Sequence, residues 1–239
     1  MGIPAKTSPR TIARIGGALY LMIILLGLFG EMFVRGKLIV PDPAATAHNI
    51  ETSQFLWRLG VTGDLVMHVC DIPLMLIFYV LLKPVSKNLA LLALLFNAIQ
   101  SAALVAYKLN LLLALFLLGN ASYLKALDPG QREALMSVFL KADSYGFGIG
   151  LIYFGFTCLV LGYLISKSGY LPRILGVLMQ IAGTCYLINS FAVLLAPGFA
   201  NLLFPFILLP SFIGELSVCL WMLLKGVKLE DWPTEGVPV

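Results

Sequence analysis

Charged residues are scarce in this sequence. Lys, Arg, Asp and Glu together make up 12% of its 239 residues, whereas an ordinary soluble domain carries about 25%. Hydrophobic residues make up 60%, and the mean hydropathy is +0.95. A water-soluble fold is therefore excluded. Little sequence lies outside the apolar blocks, so residues 1–239 are predicted to form a single membrane domain without a soluble catalytic domain.

The residues and motifs of common catalytic sites are also rare. There are two histidines and four cysteines, and no HExxH, HxxxH or CxxC motif of the kind that zinc sites use. A Gly-rich phosphate loop and a Ser-His-Asp arrangement are missing as well. The cysteines all lie in apolar blocks, which favours small core residues over disulfides or ligands: Cys70, Cys158, Cys185 and Cys219. No catalytic residue, metal ligand or cofactor is assigned, and enzymatic activity is left open.

What the sequence does contain is six apolar blocks. Each is long enough to cross a hydrocarbon core of about 30 Å, which requires roughly 20 helical residues. They cover residues 11–34, 55–82, 88–117, 144–166, 171–196 and 201–224. The fold class is thus predicted to be all-α, a polytopic integral membrane protein built as a six-transmembrane-helix bundle.

Two segments outside these spans also carry signals. Residues 1–10 are basic and contain proline, and are predicted to be a short disordered lead. Asp128 followed by Pro129 indicates a helix N-cap and a first-turn proline. Residues 129–142 are therefore predicted to form a short amphipathic helix in an outer loop, separate from the fourth span.

Basic residues are distributed unequally between the two sides of a six-span chain. Lys6, Arg10, Arg14, Lys83, Lys87, Lys167, Arg173, Lys225 and Lys228 fall on the side of the termini, and Arg35, Lys37, Lys125, Arg132 and Lys141 on the other. Because basic residues near span ends favour the cytoplasmic side, both termini are predicted to be cytoplasmic. The charges are scattered over short loops without interleaved aromatic residues, so nucleic-acid binding is not indicated. The predicted partner is the lipid bilayer, with a membrane-protein partner or homo-oligomer left open.

Polar residues inside the second and sixth spans define a candidate binding site. Asp64, His68 and Asp71 are spaced i, i+4 and i+7, so they project from one face of a helix, and Glu215 lies near the middle of the sixth span. A charged side chain at the bilayer centre costs on the order of 3 kcal/mol. These four residues are therefore predicted to face the bundle interior and to line a central site.

Three further charged residues are predicted to support this site by forming ion pairs in the outer half of the bundle: Arg58, Lys108 and Asp143. Asp64 is expected to pair with Lys108 or Arg58. His68 is expected to pair with one of the two central carboxylates of the site.

The sequence also resembles a known family. In the second half the matching positions are Gly162-Tyr163-Leu164, Ser168 to Arg173, Gly176, Gly183, Tyr186, Pro210, Gly214-Glu215-Leu216, Trp221 and Lys225-Gly226; in the first half they are Asp64, Met67 to Asp71 and Leu82 to Val85. This pattern resembles the bacterial multi-pass membrane family catalogued as domain of unknown function 4386. The resemblance covers nearly the whole chain and implies six spans in a bacterial cytoplasmic membrane. It implies no activity and no catalytic residue.

Three functions follow as hypotheses. The preferred one is an uncharacterised membrane protein that binds or translocates a proton, cation or small polar solute at Asp64, His68, Asp71 and Glu215. The alternatives are a structural or accessory membrane subunit and an intramembrane metal-dependent enzyme. Translocation predicts a cavity that reaches His68 and Glu215, a structural subunit predicts a dry and fully paired centre, and an enzyme predicts a bound metal.

Overall fold

The computed structural model describes residues 8–232, and over that range the chain consists of helices joined by short connections. Six helices are long and apolar enough to cross a membrane, which confirms the predicted all-α, six-helix architecture. These six are α1 (Pro9–Leu38), α3 (Gln54–Leu82), α4 (Lys87–Leu117), α5 (Pro129–Ser168), α6 (Arg173–Leu195) and α8 (Leu209–Leu224, the α-helical part of the span Phe206–Leu224). Two shorter helices, α2 (Pro43–Thr52) and α7 (Pro197–Leu203), lie in the connections.

Helix α1 is longer than the apolar block that predicted it. It begins at Pro9, because the Ser8 hydroxyl accepts a hydrogen bond from the amide of Thr11 at 3.2 Å and caps the first turn. Residues 1–7, most of the predicted disordered lead, lie outside the described residues. At the other end a π-helical segment, Phe29–Arg35, carries α1 past the predicted limit at residue 34. Arg35 therefore belongs to a membrane helix, where the sequence placed it in a loop.

Helix α5 absorbs the segment predicted to be a separate surface helix. The Asp128 side chain accepts from the Gln131 amide at 2.8 Å, and the Gln131 side chain accepts from the Asp128 amide at 3.1 Å. This capping box confirms the predicted N-cap. The helix then runs unbroken for 40 residues, about 60 Å, which is twice the hydrocarbon thickness. Residues 129–142 therefore extend the fourth span and do not form a separate surface helix.

The six long helices form a closed ring in chain order. Each packs on the next, and α8 returns to pack on α1. One end of the ring, the terminus face, holds both described chain ends: Arg10 Nε donates to the carbonyl of Lys225 at 3.2 Å, and the Lys228 amide donates to the carbonyl of Tyr170 at 3.1 Å. The opposite end, the loop face, holds the connections 39–53, 118–128 and 196–208.

Glycines allow α5 to approach its neighbours closely. A Cβ atom on Gly162 would lie 2.6 Å from the carbonyl oxygen of Gly176 in α6 and 2.9 Å from the amide of Gln180. Gly146 and Gly150, on another face of α5, lie against Tyr107 and Leu104 of α4. Such contacts take the place of a hydrophobic driving force between helices in lipid.

Two apolar clusters occupy the two ends of the ring. The larger lies towards the terminus face and includes Tyr20, Leu74 and Cys158. The smaller lies at the loop face and includes Trp57 and Leu111, which are joined by a 2.9 Å hydrogen bond from Trp57 Nε1 to the Leu111 carbonyl. Between the clusters α3 presents the buried polar residues Asp64, His68 and Asp71 to the interior.

Tyr170 packs at the terminus face, and removal of its hydroxyl group is the basis of a first prediction. The buried ring contacts Trp232, and its hydroxyl donates to the carbonyl of Leu81 at 2.5 Å. Burial raises the pKa of Tyr170, so this hydroxyl remains a donor at physiological pH. Tyr170→Phe leaves that carbonyl unpaired and is expected to lower the free energy of unfolding by about 1 kcal/mol. Thermal unfolding in lipid nanodiscs measures this, with Tyr163→Phe on the exposed side of α5 as the control; equal stabilities of the two variants would contradict the assignment.

Candidate functional site

A cavity of about 900 Å³ lies inside the ring, between the two apolar clusters. Most of its wall is apolar, contributed by every long helix. The four residues of the predicted binding site line it, although they come from two helices that are not neighbours in the ring. Its polar lining consists of Tyr20, Glu31, Arg35, Asp64, His68, Asp71, Gln100, Lys108, Tyr186 and Glu215.

Glu215 of α8 lies at the inner end of the cavity, where two tyrosines hold it. The hydroxyl of Tyr20 in α1 donates to Oε2 at 3.0 Å, and the hydroxyl of Tyr186 in α6 donates to Oε1. Three helices thus converge on one carboxylate. In the sequence Tyr186 stood out as one of the positions that match the family pattern, and Tyr20 carries no signal that separates it from other interfacial or core tyrosines.

Asp71 of α3 is held by side chains of α4. Ser101 Oγ donates to Oδ2 at 2.5 Å, Asn97 Nδ2 lies 3.4 Å from Oδ1, and the same amide donates to Gln100 Oε1 at 3.0 Å. Within residues 8–232, no Lys, Arg or His nitrogen lies within 4.0 Å of either Asp71 or Glu215. Both carboxyl groups are therefore oriented by neutral donors.

The predicted pairing of His68 with Asp71 or Glu215 is wrong. His68 is only 4% exposed, lines the cavity, and its Nε2 has no hydrogen-bond partner in the described part of the chain. Glu215 is engaged by Tyr20 and Tyr186 and forms no ion pair with His68 in residues 8–232. Asp71 is already engaged by α4.

A network of buried charges lies on the loop side of the cavity. Arg35 donates to both oxygens of Asp64, at 2.7 and 3.1 Å, in a bidentate pair. Lys108 Nζ lies 3.3 Å from Asp64 and 3.5 Å from Asp143. Arg35 also reaches the half-exposed carboxylate of Glu31 at 2.9 Å. Helices α1, α3, α4 and α5 are thus connected by two cations and three carboxylates.

Of the two partners predicted for Asp64, Lys108 is confirmed and Arg58 is wrong; Arg35 is the second partner instead. Arg58 is exposed and takes part in no ion pair between Ser8 and Trp232. Arg58 precedes Asp64 by six positions, which at about 100° per residue places it about 120° away around the helix, so it points away from the buried stripe. Sequence reasoning missed Arg35 because hydropathy ended the first span at residue 34. The i, i+4 spacing of Glu31 and Arg35 was the available signal.

The cavity opens sideways near the loop face, between α1 and the segment before α8. The π-helical segment of α1 packs on α3, whereas α1 meets α8 through its terminus-side half. At the opening Met32 is 68% exposed and Phe206 is 76% exposed, and both also line the cavity. Apolar and aromatic side chains at this level suit the interfacial region of a bilayer.

A metal ion would have to be bound by several side chains of the cavity together. The described residues contain no group of three or more His, Cys, Asp or Glu side chains that could hold a metal ion. Asp71 and Glu215 are each held by their own hydroxyl or amide donors, and neither forms a hydrogen bond with His68 among the described residues.

Comparison with known proteins places the chain within one family. Over residues 15–226 it matches the sequence model of a family described as Domain of unknown function (DUF4386). It is similar to an uncharacterized protein from Archaeoglobus fulgidus, 30% identical over 174 residues, which covers 72% of this chain and 86% of that relative. No solved structure matches. The matched range reaches all six long helices and the whole cavity, and brings with it no residue roles.

Proposed function

Because this chain belongs to the family described as Domain of unknown function (DUF4386), which supplies no activity, we propose a function from its own geometry: it binds a small amphiphilic molecule taken up sideways from the bilayer. The observation that carries the proposal is a cavity of about 900 Å³ with mostly apolar walls, polar groups at its inner end and an opening between α1 and the segment before α8. Ligand sites of about 300–1,000 Å³ with a few placed polar groups are typical of small-molecule binding.

The apolar wall narrows the class of ligand. A free cation or small polar solute would lose its hydration in such a cavity and gain few contacts. A molecule with an apolar body and one polar group would bury the body against the wall and place the polar group near His68, Asp71 and Glu215. The sequence hypothesis of a polar-solute site is thereby refined to an amphiphile site.

The cavity also distinguishes between the other hypotheses. A structural subunit predicts a dry and fully paired centre, whereas here the centre holds a cavity lined by His68, and the buried Nε2 of His68 has no hydrogen-bond partner among the described residues. A metal-dependent enzyme lacks a convergent ligand set in residues 8–232. Translocation shares the binding step, but it also requires the apolar cluster on the terminus side to open, since that cluster closes the far end of the cavity.

The distribution of basic residues supports one orientation. Arg10, Arg14, Lys83 and Lys225 lie at the terminus face, on the side with the excess of basic residues. We place this face in the cytoplasm by the positive-inside rule, which puts the protein in the cytoplasmic membrane and the lateral opening in the outer leaflet.

The test is photo-crosslinking in lipid nanodiscs with a long-chain alcohol that carries a diazirine, a neutral amphiphile. Labelling is expected on cavity residues such as Leu151, Phe154 and Met179, none of which is on the lipid-exposed surface. Gly27→Phe should reduce this labelling about fivefold, equivalent to roughly 1 kcal/mol. Gly27 lines the cavity, and a Cβ there would meet just the flexible Met67 sulfur, at 3.4 Å, so a side chain can start at this position without displacing backbone.

The control is Gly198→Phe, at an exposed glycine with open space around it. Labelling confined to lipid-facing residues, or labelling of the cavity that Gly27→Phe leaves unchanged, would contradict the proposed function.

A further inference from the structure

The basic side chains on the cavity wall are all paired with carboxylates, whereas two of the acidic side chains have no basic partner among the described residues. The two buried cations on its wall are both occupied: Arg35 by Asp64 and Glu31, and Lys108 by Asp64 and Asp143. An anionic head group entering the cavity would therefore find no unpaired basic side chain among the described residues. It would meet carboxyl groups instead, which disfavours phosphate or carboxylate ligands.

The two carboxyl groups deeper in the cavity, Asp71 and Glu215, have no cationic partner among the described residues. Asp71 and Glu215 line the cavity and receive hydrogen bonds from hydroxyl and amide groups alone. A carboxylate has about four lone-pair sites, so each retains acceptor capacity after two such bonds. Burying an ionised carboxylate without a cation is costly, and a positive charge delivered to this position removes that cost.

Aromatic rings surround the same region. Tyr20 contacts Phe78 edge-on with ring centroids 6.2 Å apart, and Phe154 contacts Tyr186 at 5.4 Å. All four residues line the cavity. Faces of aromatic rings attract cations, and desolvated sites strengthen this attraction. The two tyrosines combine both roles, since their hydroxyls hold Glu215 while their rings form the wall.

We infer that the ligand is a lipophilic cation, an apolar molecule with one amine or quaternary ammonium-like charge, recognised by Asp71 and Glu215 within an aromatic wall. This inference rests on the proposed function and specifies its ligand class. The buried, unpartnered Nε2 of His68 is an independent sign that this part of the cavity receives a ligand polar group.

Two probes of nearly the same shape and opposite charge test the inference. Tetraphenylphosphonium is the cation and tetraphenylborate the anion, and binding of radiolabelled tetraphenylphosphonium to the full chain is measured by scintillation proximity. We expect saturable binding that unlabelled tetraphenylphosphonium displaces and tetraphenylborate does not. Glu215→Gln and Asp71→Asn should each weaken binding about tenfold, because each removes one buried charge partner.

Glu51→Gln is the control, since Glu51 is an exposed carboxylate of α2 outside this cavity. Displacement by tetraphenylborate as effective as by the cation would overturn the inference, as would unchanged affinity in both carboxylate variants. If a carboxylate variant fails to fold, the comparison of the two probes on the unaltered protein still decides. Retained cavity labelling by the neutral diazirine alcohol would then mean that the amphiphile site stands and the cation preference alone is lost.

Discussion

Asp64→Asn is expected to lower the free energy of unfolding by about 3 kcal/mol, the scale reported for breaking a buried ion pair. Asp64 is 1% exposed and contacts both Arg35 and Lys108, so its neutralisation leaves two buried cations short of a partner at once. The decrease in the free energy of unfolding should be no smaller in a membrane than in the core of a soluble protein, because water cannot solvate the two cations in place of Asp64. Equilibrium unfolding in mixed micelles, or melting temperature in nanodiscs, measures it.

Arg58→Gln is the matched control for this prediction. Arg58 lies in the same helix and was the sequence candidate for pairing with Asp64, but it is exposed and unpaired in the described part of the chain. Its replacement should change stability by less than about 0.5 kcal/mol, the usual range for surface substitutions. Arg35→Gln, in contrast, should be as damaging as Asp64→Asn. A stability loss in Arg58→Gln equal to that in Arg35→Gln would contradict the assigned network.

Gly162→Ala is expected to destabilise the bundle by about 3 kcal/mol, at the upper end of the usual cost of overpacking. The added Cβ would lie 2.6 Å from the Gly176 carbonyl oxygen and 2.9 Å from the Gln180 amide. Both are backbone atoms, so no side-chain rotation relieves the contact, and α5 and α6 must move apart. The expected signs are a lower melting temperature and a lower yield of folded protein.

Gly148→Ala on the same helix is the control. Gly148 is buried, but the nearest atom to a Cβ there is a Val193 methyl at 3.8 Å, an ordinary contact. Alanine favours a helix over glycine by about 1 kcal/mol, so this variant should be as stable as the parent protein or more so. Equal losses in the two variants would mean that glycine flexibility, and not the close approach of α5 to α6, accounts for the effect.

Hydropathy predicted the helices well because it depends on local composition, which the bilayer selects directly. The inward-facing stripe of α3 could be predicted equally well, since helical periodicity alone places Asp64, His68 and Asp71 on one side. Asp64 with Lys108 was among the expected pairs. The N-cap at Asp128 followed from short-range side-chain chemistry.

The misassignments concern relations between helices. The partner of Asp64 depended on how α1 ends, and its π-helical segment brings Arg35 inward in a way that hydropathy does not encode. The pairing of His68 depended on which side chains engage the two carboxylates first, and these donors come from other helices: Ser101 and Asn97 for Asp71, Tyr20 and Tyr186 for Glu215. The cavity itself arises from an incomplete seam between the first and last long helices, and the sequence gives no direct measure of such packing.

The ring order also bears on how the protein is made. Because each long helix packs on the one before it, every seam except one can form as soon as the newer helix enters the membrane. The seam between α8 and α1 must wait until synthesis is complete, and it joins residues such as Cys219 and Gly17 that are about 200 positions apart. During translation the future cavity is therefore an open trough facing lipid. The lateral opening is the part of that trough that the arrival of α8 leaves uncovered.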